Sequence, residues 1–256
     1  MLDKRLDVLI KEANFESTGY SKPCLGKFSP YIYQTAGSRV FRLFKILITN
    51  SCQNNCLYCG IRARRNCERY FLKPKDLANI FMQLYKARKV DGIFVSSGIY
   101  KNSDYSQSLI LDTVYILRKK YQFRGYVHAK VLPSADSNII RSLSFLANRV
   151  SINLEAPTKD FFKRICPDKE FKEGIFKPLG LLSFLDKKKA FSSGITSQLV
   201  VGASNELDKD ILNTADLLYD KFSLRRVYYS GFISFSCSTI PSFILSDEYI
   251  FRSCSL

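Results

Sequence analysis

Three cysteines, Cys52, Cys56 and Cys59, stand within eight residues in the stretch Cys-Gln-Asn-Asn-Cys-Leu-Tyr-Cys. A short loop can fold thiols at this spacing around a metal centre. A structural zinc site calls for four protein ligands, and Cys67 is the available fourth, but it lies in an arginine-rich segment without paired spacing. An iron–sulfur cluster can instead take three cysteines and leave one iron open. The bland alternative, buried core thiols, fits poorly with so polar a loop.

Other residues with chemical potential lie at the ends of apolar runs. Ser96, Ser97 and Gly98 close one run, Glu155 closes another, and Val201 and Gly202 close a third, with Glu206 beyond. His128 and Lys130 are two residues apart, as are Asn153 and Glu155, so each pair faces one side of a strand. Lys130 is the stronger site candidate, because a lysine inside a barrel is rarer than a satisfied core histidine. Gln198 precedes the Val-Gly turn and can face the same cavity. Arg62, Arg64, Arg65 and Arg69, with Lys73 and Lys75, follow the cysteine loop. They are either a solvated loop or holders of a carboxylate or phosphate. Lys119-Lys120 and Lys187 to Lys189 end predicted helices, where cations complement the helix dipole. Cys24, Cys166, Cys237 and Cys254 are scattered without metal-like spacing.

Positioning these groups requires a regular frame, and the sequence predicts one. Six runs rich in β-branched and aromatic residues begin near Phe41, Asp91, Gly125, Arg149, Ile195 and Arg225. Between them lie amphipathic helical patterns, such as Leu77, Ile80, Phe81, Leu84 and Tyr85 on one stripe behind Pro74. Alternation of this kind implies α/β architecture with parallel strands. Six strands predict a partial (β/α)6 TIM-type barrel, since a closed eight-stranded one takes about 250 residues. A doubly wound sheet is the second choice. Either places ligands at the carboxyl ends of the strands.

The motifs together resemble the radical S-adenosylmethionine enzymes, whose C-x3-C-x2-C pattern carries an aromatic residue before the last cysteine. The resemblance implies a [4Fe–4S] cluster on Cys52, Cys56 and Cys59. It implies that the open iron binds S-adenosylmethionine, which is reductively cleaved to a 5′-deoxyadenosyl radical. It makes Tyr58 an adenine contact, Ser96, Ser97 and Gly98 the turn that meets the methionine amino group, Glu155 a ribose or methionine contact, and Val201-Gly202 the apolar turn beside adenine. An electron-donor protein such as a flavodoxin or ferredoxin is implied as well. Ser-Ser-Gly departs from the family's commoner Gly-Gly-Glu.

Longer stretches, among them LDVLIKEANFESTG, LFKILITNSCQNNCLYC, DGIFVSSGIYKNSDYS and SQLVVGASNE, resemble the branch of that family linked to DNA modification or repair. This implies a DNA substrate and a uracil-DNA-glycosylase-like partner. The expected organisation is an N-terminal helical extension over 1–40, the partial barrel over 41–233, and an atypical tail over 234–256. Family members continue into further barrel elements and a DNA-binding region, so a shortened or frameshifted chain, or a short variant, is expected. The alternatives are radical chemistry on a small metabolite or peptide, and a non-catalytic iron–sulfur or zinc protein.

Composition agrees with a folded protein whose basic excess suits either a polyanionic partner or a generally basic, solvated surface. Of 256 residues, 46% are hydrophobic, and 39 Lys and Arg against 23 Asp and Glu leave a net charge of +16. No run reaches the roughly 18 apolar residues of a membrane span, and MLDKRLDVLIKEANF reads as an amphipathic helix instead of a signal peptide. A cytoplasmic location is expected, in which cysteines serve as ligands or core residues and not as disulfides.

Overall fold

The structure is a computed structural model that describes residues 4–13, 21–23, 32–35 and 41–233. The 234–256 segment and Cys24, Cys237 and Cys254 lie outside the described residues.

The six expected strands all form. They are β3 (Arg42–Leu47), β4 (Gly92–Ser96), β5 (Tyr126–Lys130), β6 (Arg149–Ser151), β7 (Ile195–Val201) and β8 (Arg226–Gly231). They pair in parallel and in sequence order, making a curled half-barrel. Each crossover carries a helix: α2 (Pro74–Lys86), α3 (Ser103–Tyr115), α4 (Ser137–Ser144), α5 (Lys159–Ile165) with α6 (Lys177–Lys187), and α7 (Asp208–Phe222). α2 starts at its proline and buries Leu77, Ala78, Phe81 and Met82 against the sheet. Asn102 caps α3, and Asp136 caps α4 by accepting from the Asn138 and Ile139 amides. α6 ends at Lys187, its basic side chain at the negative end of the dipole.

The amino-terminal region contains more than the expected helix. α1 (Lys4–Glu12) buries Leu6, Leu9 and Ile10. After it, β1 (Ser21–Pro23) and β2 (Ile32–Thr35) extend the sheet antiparallel, so that β2 covers the free edge of β3. Strands of three and four residues leave too little alternation to be read from sequence.

Alternate residues of β3 to β8 point into the barrel. Its lower part holds Lys45, Phe94 and His128, which are neighbours in register, and all three are buried. His128 Nε2 shares a 2.9 Å hydrogen bond with Ser151 Oγ, and its ring meets Phe94 edge-on at 4.7 Å. Burial, with the charges of Arg149, Lys130 and Lys45 adding to it, holds His128 well below the ordinary imidazole pKa. It is therefore a neutral core group. Lys130, one inward position nearer the strand ends, reaches the cavity above.

Candidate active site at the strand ends

One cavity lies over the carboxyl ends of the parallel strands. Cys52, Cys56, Tyr58 and Cys59 line one side. Ser96, Ser97, Gly98, Lys130, Glu155 and Gln198, from four successive strand ends, line the rest. Val201 and Gly202 are not part of this lining. Val200 faces the cavity, while Val201 lies on the opposite side of the pleat and packs on the core. Gly202 turns the chain at φ +81°, and its amide donates to Glu206 Oε1 at 2.5 Å. Glu206 Oε2 also accepts from the Ser204 amide and hydroxyl, so this carboxylate closes the turn.

The cysteine loop is held by its neighbours. Gly98 donates to the Thr49 carbonyl at 2.8 Å, and Gln53 donates to the Ile99 carbonyl at 2.8 Å. A Cβ at Gly98 would stand 2.4 Å from the Ser51 carbonyl oxygen. The absent side chain of Gly98 thus makes room for the start of the cysteine loop. The following arginines turn inward. Arg69 donates to the carbonyls of Asn50, Ile61, Arg62 and Arg65, Arg62 to that of Leu57, and Arg65 to that of Gly60. The forks of Arg62, Arg65 and Arg69 satisfy carbonyls that an irregular loop leaves open. Of the four arginines, only Arg64 is exposed.

Glu155 is the most constrained residue of the site. It follows β6 at φ +71°, unusual for a residue with a side chain. Its backbone bridges to β7, accepting from Val200 at 2.8 Å and donating to Gln198 at 3.0 Å. Oε1 pairs with Lys169 Nζ at 3.1 Å, whereas Oε2 is buried without a hydrogen-bond partner in the protein. Burial disfavours the Lys169 ammonium, but the charges of Cys56 and Glu155 outweigh it and lift its pKa well above the usual value. Lys130 donates to Asn153 Oδ1 beside it. Burial, together with the Glu155 charge, raises the Tyr58 phenol well above its ordinary pKa, so it stays protonated.

The thiols differ among themselves. Cys56 is drawn down to about 7, chiefly by a hydrogen bond from Cys166, whereas burial pushes Cys59 up. Among the described residues, no three His, Cys, Asp or Glu side chains converge closely enough to grip a single ion. A cubane cluster makes a different demand, because each thiolate binds its own iron and the sulfurs ring a space. The donor set fits that demand, with three thiols around one cavity whose wall also holds Glu155, one carboxylate oxygen of which is buried without a hydrogen-bond partner in the protein.

No protein-family model matches the sequence, and no curated protein does. Solved structures do match. Over 81% of this chain and 60% of its own, methylornithine synthase (PylB) superposes with a TM-score of 0.61 at 12% identity. The FeFe-hydrogenase maturase HydG from Carboxydothermus hydrogenoformans covers 75% of this chain and 44% of its own, with TM-score 0.58 and 15% identity. Coproporphyrinogen III oxidase (HemN) from Escherichia coli, described as a radical SAM enzyme, covers 75% and 44%, with TM-score 0.51 and 15% identity. The likeness is one of fold. It identifies the half-barrel as the architecture these proteins share, and the chain spans between 44% and 60% of their lengths.

Among the contributors that sequence reasoning missed are Glu12 from α1, Lys169, and the Ser230–Ile233 stretch at the end of β8. Strand-end position signalled Ser230. The others come from a helix end and from a loop whose approach no local pattern announces.

Proposed function

We propose that this chain is the core of a radical S-adenosylmethionine enzyme. The observation that carries the reading is that three cysteines at C-x3-C-x2-C spacing line one cavity at the strand ends together with Glu155, whose Oε2 is buried and unpartnered in the protein. When bound, a [4Fe–4S] cluster supplies the single electron that cleaves S-adenosylmethionine to a 5′-deoxyadenosyl radical. The protein's residues hold, orient and exclude. Cys52, Cys56 and Cys59 are the thiolate ligands, and the cavity leaves room for a cofactor against them. Glu155 Oε2 is the acceptor for a hydroxyl or ammonium of the cofactor, held in place by Lys169. Lys130 and Gln198 offer donors to its carboxylate or to substrate, and Tyr58, Ser96, Ser97 and Gly98 close the wall. The likeness in fold to HemN supports the reading.

The reading extends to nucleic acid as substrate, supported by the net charge of +16. A uracil-DNA-glycosylase-like protein as partner, and a flavodoxin or ferredoxin as electron donor, belong to the same proposal.

Anaerobic reconstitution with iron and sulfide tests the chemistry. The expected product is a brown protein with about four irons per chain, which releases 5′-deoxyadenosine only with a reductant present. Stoichiometric zinc, with no cleavage under any reductant, refutes it. For the DNA part, affinity for a duplex is expected to fall steeply between about 50 and 200 mM salt. Binding that is absent or indifferent to salt removes that part and leaves the chemistry standing.

A further inference from the structure

At the amino ends of β5, β6 and β7, opposite the cysteine loop, three helix-to-strand loops enclose a groove. Arg118, Phe123, Arg124, Phe145, Asn148 and Lys189 are in its lining, and no acidic residue among the described ones is. The floor is already bonded. Arg118 donates to the carbonyls of Leu146, Phe123 and Gly125 and to Asn148 Oδ1, at 2.6 to 2.8 Å. Asn148 Nδ2 donates to Ser192 Oγ at 3.1 Å, and the Asn148 carbonyl accepts from the Ser193 amide at 2.9 Å. These bonds tie the three loops together, so the groove is preformed. The rim is not bonded. Arg124 and Lys189 are exposed, and neither side chain has a hydrogen-bond or ion-pair partner among the described residues. Because β6 pairs between β5 and β7, the loop entering β6 lies between the loops that carry these two cations. It presents Phe145, which at 86% is the most exposed large hydrophobic side chain among the described residues. α4 buries Ile140, Leu143 and Ser144 and so packs without this ring. The segments 118–124 and 186–192 hold seven cations against one acid, Asp186. The three helices that end at this face bring only about half a negative charge each, so the cations are in excess of what the dipoles take up.

We propose that this groove binds single-stranded nucleic acid, with a base stacked on Phe145 and the flanking phosphates met by Arg124 and Lys189. The inference rests on the nucleic-acid part of the proposed function and does not need the cluster. Charge alone suits any polyanion. A bare ring between two cationic loops suits a polymer that carries flat faces between its charges. A duplex keeps those faces stacked inside, whereas a single strand can offer them to an aromatic side chain. Standing at the other end of the strands from the cavity, the groove holds a strand without occupying the site of the chemistry.

The test titrates the full chain into a labelled oligothymidylate of about 12 nucleotides and follows fluorescence anisotropy. Phe145→Ala is expected to weaken binding about tenfold or more. Phe145→Tyr is expected to bind as the parent does, and Phe145→Leu to bind like the alanine variant. Replacing both Arg124→Gln and Lys189→Gln is expected to flatten the slope of log affinity against log salt by about 1.4. Leu212→Ala removes another exposed apolar side chain and is expected to change nothing. Every substituted side chain is exposed, so melting temperatures are expected to match the parent's. Parent-like binding by Phe145→Ala, or leucine serving as well as tyrosine, overturns the stacking and this proposal with it. Inorganic polyphosphate that binds as tightly per phosphate as the oligonucleotide also overturns it, since charge alone would then explain the groove. A parent chain that binds a duplex but not the single strand overturns this proposal alone. One that binds neither overturns the nucleic-acid part of the proposed function as well, and leaves the cluster chemistry untouched.

Discussion

Lys169 and Glu155 form an ion pair whose side chains are only 10% and 5% exposed. Charges this buried are held by each other, and removing one leaves the other stranded. Lys169→Met is therefore expected to destabilise the fold by about 3–5 kcal/mol. The double variant with Glu155→Gln recovers most of that loss, since neither charge remains. Denaturant melts of the four proteins in that cycle measure it, and additive losses would show that the pair is not coupled. Glu155 also sits at φ +71° with an orphaned oxygen. Under the function proposed above, strain and an unmet acceptor on one residue serve the bound cofactor more than the stability of the empty fold.

At the scale of elements, the cysteine loop depends on Arg69. Its guanidinium meets four carbonyls, two at each Nη, between 2.5 and 2.9 Å. Lysine has the charge but not the planar fork. Arg69→Lys is expected to behave nearly as badly as Arg69→Ala, each losing roughly 2–3 kcal/mol, with faster amide exchange across residues 50–69. Full rescue by lysine would show that only the charge matters. Two glycines separate packing from propensity. Gly98→Ala drives a Cβ to 2.4 Å from the Ser51 carbonyl and is expected to displace the loop and lower the melting temperature. Gly180 lies within α6, and a methyl group there would meet nothing within 4 Å. Gly180→Ala should stabilise by about 0.5–1 kcal/mol, because alanine loses less freedom in a helix.

For the whole molecule, the barrel's interior makes stability depend on pH. The chain has a single histidine, and burial with three nearby cations keeps it neutral in the folded state. Above about pH 6.5 neither state is charged at this group, so it contributes nothing. As pH falls below that value the unfolded chain takes up the proton and the folded one does not. Stability is therefore expected to fall by up to about 1.4 kcal/mol per pH unit, until the native pKa is reached. Glu12, whose carboxyl is raised by burial, works in the opposite direction and softens the slope. Denaturant midpoints between pH 7 and 5 for the parent chain and His128→Asn test this. A slope that survives in the variant places the effect elsewhere. No helix among the described residues is long and apolar enough to cross a membrane.

Much of this protein is legible without coordinates. The cysteine spacing, the strand–helix alternation and the strand-end residues Ser96 to Gly98, Lys130, Glu155 and Gln198 are local signals. Periods of two and about 3.6 residues are written in consecutive side chains, and a parallel half-barrel brings successive strand ends to one face whatever its details. Pleat parity is finer. It places Val200 in the wall where Val201 is expected, because an apolar run does not show which residue begins the alternation. Contacts across the chain lie out of reach. Asp168 meets Asn55 across 113 positions, and Cys166 meets Cys56 because α5 ends over the loop. The arginines after the loop read as solvated because charge is what composition registers, while the carbonyls they satisfy exist only once the loop is folded. The sequence by itself determined which thiols form the candidate ligand set and on which rim of the barrel they stand. The tertiary structure alone decided what presses on them, since those partners are joined by loop closures that no local period encodes.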